Sequence, residues 1–124
     1  MKINTDWAGD SKTIICSVFG DGWTWEDFVD NANHVSMLLD QVDHPVNLVV
    51  HMQARHAPRN LLAHLPTASQ APLFTHPNAG LLIVVGAEGI TRAIAGILTK
   101  TYHLRRRVRL VETLEEAYAI PVEP

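Results

Sequence analysis

Apolar side chains change period several times along the chain, and each change predicts an element. Ile3, Thr5 and Trp7 alternate with polar neighbours, Gly9-Asp10 supplies turn chemistry, and Lys12 to Phe19 is rich in β-formers, which predicts a hairpin. In its second strand Ile14, Cys16 and Val18 point one way and Ile15, Ser17 and Phe19 the other. With both sets largely apolar, that strand belongs inside a sheet. Gly20-Asp21-Gly22 breaks it. Trp25, Phe28, Ala32, Val35, Leu38 or Leu39, and Val42 then recur at three- and four-residue spacing, with Glu26, Asp30, Asn33 and Asp40 off that stripe. This is an amphipathic helix. Thr24 is its expected cap, with Asp27 at the third helical position, and Asp43-His44-Pro45 its expected end.

Val46 to Met52 reads as a short strand. Pro58 suits the first turn of a second helix, whose buried side would use Leu61, Leu62 and Leu65, with Pro66 keeping it short. Ala71 to Asn78, with Pro72 and Pro77, reads as a loop. From Gly80 the signal is strongest: Leu81 to Val85 is a continuous apolar strand of the kind covered on both faces. Ile90, Ala93, Ile94, Ile97, Leu98 and Tyr102 form a helical stripe, and Val108, Leu110 and Val111 a last strand. Thr113 with Glu116 predicts a capping box for a final short helix. The order β-β-α-β-α-β-α-β-α predicts an α/β fold, a mixed sheet with helical cover.

Composition adds bounds. The 124 residues, 47% apolar and 19% charged, fit one domain over 1–124 with a core that needs no staple. The longest apolar run is too short to span a bilayer, and the polar start, Met1 to Asp10, lacks the apolar stretch of a signal peptide. A lone cysteine, Cys16, makes no intrachain disulfide, so a soluble cytoplasmic protein is expected. The net charge of −3 conceals blocks: residues 1–45 hold eight acidic side chains against Lys2 and Lys12, whereas 46–111 hold eight basic ones against Glu88 alone. Such asymmetry suits a charged partner or self-association as a homodimer, and the plainer reading beside it is that folding interleaves the blocks and leaves no patch.

The candidate chemistry lies mostly in one loop. Arg55, His56, Arg59 and Asn60 sit between a strand end and a helix start, where backbone N–H groups and the helix dipole favour anions and arginine adds bidentate recognition. Beside this stands the plainer reading of a solvated loop. The histidines His51, His56, His64 and His76 follow no metal spacing, so no metal or other cofactor is expected. Gly86-Ala87-Glu88-Gly89 lacks both dinucleotide and P-loop patterns and reads as a turn. Cys16, in an apolar strand, reads as an inert thiol, and no catalytic pair stands out. Lys100, Arg105 to Arg107 and Arg109 form a basic cluster without interleaved aromatic groups, which suits a helix end better than a nucleic acid.

The element order, and the closing stretch with Glu112, Thr113, Glu115, Glu116 and Ala117, resemble the STAS domain of bacterial anti-sigma-factor antagonists. Residues 81–102 likewise resemble that family's penultimate strand, turn and helix. The resemblance implies a STAS-like fold and a regulatory, protein-binding role. It does not extend to the family's phosphoswitch, because residues 51–60 contain no Ser or Thr. The expected function is a non-enzymatic regulatory or protein-interaction module, with no membrane or nucleic acid as partner. The alternative is a carrier for a small hydrophobic or anionic ligand, its pocket lined by Leu61, Leu65, Leu73, Phe74 and Ile90. An enzyme ranks third.

Overall fold

The structure, a computed structural model, describes residues 2–54, 63–64, 75–86 and 108–122. These form an α/β fold with a five-stranded mixed sheet: β1 (Ile3–Trp7), β2 (Ile14–Phe19), β3 (Val46–Met52), β4 (Ala79–Val85) and β5 (Val108–Val111). The strands lie side by side in chain order. β1 is antiparallel to β2, and the other pairs are parallel. Two helices accompany them, α1 (Trp25–Asp40) between β2 and β3, and α2 (Leu114–Ala119) after β5. The helices expected from Pro58 and from Ile90 lie outside the described residues.

The hairpin matches its expected pattern with one shift. Gly9 and Lys12 both adopt positive φ, 94° and 55°, so the chain is still turning at Lys12 and β2 starts only at Ile14. β2 lies between β1 and β3, the interior place its two apolar faces predict. β1 is a free edge. Ala8 N donates to Ile14 O and Gly20 N to Lys2 O, which turns the amides of Ile3, Thr5 and Trp7 outward. Asp6 occupies one of them, accepting from Trp7 N at 2.7 Å, and places a charge where another strand would add.

Alternation along the strands divides the core in two. One face of the sheet presents Ile15, Leu48, Leu82, Val84 and Val108 to Ala32, Val35, Leu38 and Leu39 of α1. The other presents Val49, Ile83 and Val85 to Ala117, with Leu114 and Ile120 packed alongside. β4 is therefore covered from both sides, as its unbroken apolar run requires.

α1 has a well-defined start. Thr24 Oγ1 accepts from Asp27 N, and Asp27 Oδ2 accepts from Thr24 N at 3.0 Å, a reciprocal capping box. Trp23 just before the cap packs on Phe28, ring centroids 6.5 Å apart, which is the hydrophobic staple that accompanies such a box. The helix stops at Asp40, ahead of the proline signal, where the Gln41 N–H closes back on Leu38 O and Leu39 O. Asn78 Nδ2 donates to Leu39 O and Val42 O at 3.1 and 2.9 Å. α2 opens on one half of the expected capping box, with the Thr113 hydroxyl accepting from Glu116 N at 3.2 Å.

Two buried asparagines complete the frame. Between Val46 and Leu48, β4 advances one residue further than β3, a bulge at Gly80-Leu81. Asn47, wholly buried, fills it: its Oδ1 accepts from Leu81 N at 3.2 Å and its Nδ2 donates to Ile120 O at 3.1 Å. A Cβ on Gly80 would lie 2.9 Å from Val46 O, so only glycine permits this approach. Asn31 of α1 takes a hydrogen bond from the Thr5 hydroxyl. Thr5 also lies 2.8 Å from Ser17 Oγ, and since a hydroxyl carries one proton, Ser17 donates to Thr5.

Candidate functional site

The parallel strands β2 to β5 all end on one edge of the sheet, at Phe19, Met52, Val85 and Val111, and open α/β sheets take ligands beyond such an edge. The β2-to-α1 turn crosses it and carries an aromatic cluster. Trp23 meets Phe19 edge-on with centroids 5.1 Å apart and Trp25 edge-on at 5.3 Å, and Trp25 meets Phe28 at 5.7 Å. Ile3, Met52 and Ala54 pack against the same group. His64 stacks on Trp25 at 4.6 Å with its ring tilted by 22°. Gly86, at φ 80°, turns the chain away from β4, where a Cβ would lie 3.1 Å from Met52 O. That much of the expected glycine turn is described.

The residues nominated for anion or partner binding, Arg55, His56, Arg59 and Asn60, lie outside the described residues. Their flanks do not. Ala54 on one side and His64 on the other both rest against the aromatic cluster. The pocket-lining candidates Leu61, Leu65, Leu73, Phe74 and Ile90, and the basic residues Lys100 and Arg105 to Arg107, also lie outside the described residues. The indole N–H of Trp23, within this cluster, is buried and has no acceptor among the described residues, and the same holds for that of Trp7. A buried donor left unmade costs roughly 1–3 kcal/mol.

The remaining histidines separate by position. His76 Nε2 lies 2.7 Å from Asp40 Oδ1, and its Nδ1 accepts from Asn78 N at 3.0 Å. Both ring nitrogens are thus committed at the far end of α1, and the imidazole holds the β4-leading turn against the helix. His51 sits half-buried near the end of β3, beside Val18 and Val85. Among the described residues no group of three His, Cys, Asp or Glu side chains is placed to hold a metal. His51, His64 and His76 therefore belong to three separate surroundings.

Cys16 is half-buried on the α2 side of β2, and the Tyr118 hydroxyl of α2 neighbours its thiol. Burial pushes the thiol above its ordinary range, against the opposing pull of the Tyr118 hydroxyl. Burial and the neighbouring thiol push the Tyr118 phenol up as well. A thiol that holds its proton is a poor nucleophile, in keeping with the inert role expected of it.

One feature of α1 escaped the sequence reading. Val29 and Met37 are 52% and 64% exposed, on the side opposite the core. The signal was present: both are apolar residues off the buried stripe, eight positions apart. Among the described residues no helix is long and apolar enough to cross a membrane. Compared with protein-family models, characterised proteins and solved structures, the chain matches none.

Proposed function

We propose that the chain is a STAS-like regulatory module that binds a partner protein without catalysing a reaction, and that Arg55, His56, Arg59 and Asn60 supply its anion-recognising contacts. The observation that carries this reading is the anchoring of both flanks of that segment, Ala54 and His64, on the aromatic platform at the strand ends. Binding residues concentrate on loops positioned by a rigid scaffold. The sequential strand order, with an antiparallel first strand and α1 between β2 and β3, supports the STAS-like part. The test is affinity purification of the wild-type chain and of an Arg55→Ala/Arg59→Ala variant, each followed by mass spectrometry. A partner recovered by the wild type and lost by the variant supports the reading. Identical recoveries contradict it.

The unpaired Trp23 N–H favours a second reading, a carrier whose small ligand offers an acceptor to that indole. Native mass spectrometry of freshly purified protein separates the two readings: a copurified small molecule, released on Trp23→Phe substitution, selects the carrier.

A further inference from the structure

The outward side of α1 is distinct from the segment at the strand ends, and its composition is not that of a purely solvated surface. Glu26, Val29, Asp30, Asn33, Met37 and Asp40 are all exposed and fall at helical spacing of three or four, so they form one stripe along the helix. Two large apolar side chains occupy it, with Met37 the most exposed large hydrophobic group among the described residues at 64%. Acids surround them, and α1 contains no Lys or Arg. Asp40 keeps 69% of its side chain exposed despite its bond to His76. The helix therefore displays an apolar pair inside a negative frame.

Charge and area decide what can cover such a surface. A second α1 stripe would set like charges opposite one another, so the face does not pair with itself. Nucleic acid and anionic lipid are repelled for the same reason. A 16-residue helix is about 24 Å long, so one face offers a few hundred Å2, below the roughly 800 Å2 per partner of a standard stable interface. A small, transient contact fits these dimensions. The polarizable, flexible side chain of methionine suits adaptable apolar contacts of that kind.

We infer that the outward face of α1 is a docking surface for a cationic amphipathic segment of another protein, whose apolar side chains cover Val29 and Met37 while its Lys or Arg side chains meet Glu26, Asp30 and Asp40. The mode is that of an amphipathic peptide read by anchors at helical spacing, with the charges setting orientation and encounter rate.

The experiment uses the full chain and two labelled synthetic peptides of the same Leu and Lys composition. One has its leucines in a helical stripe, and the other has them scrambled. Fluorescence anisotropy is expected to show the striped peptide binding at least about tenfold tighter than the scrambled one, a difference of ~1.4 kcal/mol. Met37→Gln/Val29→Asn should abolish that preference, and Glu26→Gln/Asp30→Asn should weaken binding and flatten its salt dependence. Tyr118→Gln, on the opposite side of the sheet, should change neither. Equal binding of both peptides, or a preference that survives Met37→Gln/Val29→Asn, overturns the inference. So does self-association in sedimentation equilibrium that the same double substitution removes, because the face would then belong to a second copy.

Discussion

The two sides of α1 carry opposite chemistry. Toward the sheet, Ala32, Val35, Leu38 and Leu39 are buried against β2, β3 and β4, and the polar Asn31 among them is hydrogen-bonded. Toward water, acids surround Val29 and Met37, which are exposed. The first side follows from the need to bury apolar area at about 25 cal/mol per Å2. The second does not follow from folding, since nothing in the packing of the sheet requires an exposed methionine. The difference teaches that fold and binding can be read separately on one helix. Substitutions on its two sides should then fall into separate classes.

The largest effect is expected on the inner side. Leu39→Ala removes a fully buried side chain between helix and sheet and should cost about 2–5 kcal/mol, read as a lowered urea midpoint. Asn47→Ala comes next. It strips the acceptor from Leu81 N and the donor from Ile120 O, so a loss of about 2–3 kcal/mol is expected, with faster proteolysis at the C-terminal segment as a second readout. Thr24→Ala removes half of the capping box and should cost about 1 kcal/mol by the same denaturation assay. At the outer side, Met37→Gln should change stability by no more than about 0.5 kcal/mol. A loss as large as that of Leu39→Ala would erase the distinction between the two sides.

The smallest effect is pH-dependent and lies across the sheet from α1. The folded chain holds the protons of Cys16 and Tyr118 more tightly than the unfolded chain, because burial raises both groups. Where the folded state binds more protons, stability falls as pH rises. The contribution is therefore constant below the ordinary thiol range and declines as pH passes through and above it. Chemical denaturation between neutral and alkaline pH should show that decline, and Cys16→Ala should reduce it. Tyr118→Phe removes the neighbouring hydroxyl that opposes the upward shift of the thiol, so thiol labelling at fixed alkaline pH should slow.

Much of this framework was legible in the sequence where a short-range period sets structure. The alternation of β2, the apolar run of β4 and the stripe of α1 each report local geometry, and each formed as expected. The end of α1 came ahead of the proline, at the Gln41 cap, and the Asn78 side chain that supports it lies far along the chain. Asn47 and Asn31 were equally opaque. Their partners, Ile120 for one and Thr5 for the other, are 73 and 26 positions away, and no local pattern signals a bond of that span. The segment with Arg55, His56, Arg59 and Asn60 was singled out from its arginines and its place between a strand end and an expected helix start, and the structure adds the platform on which its flanks rest. The outer pair of α1 was visible as two residues off the stripe, yet spacing alone does not separate a stray apolar residue from a docking contact.

Amide-resolved nuclear magnetic resonance of the full chain, titrated with the striped cationic peptide, tests the separation of the two sides most directly. The account predicts saturable shifts at Glu26, Val29, Asp30, Asn33 and Met37, with Leu48, Ile83 and Val84 in the strands unmoved. Shifts spread through the core, or centred on another surface, would contradict it.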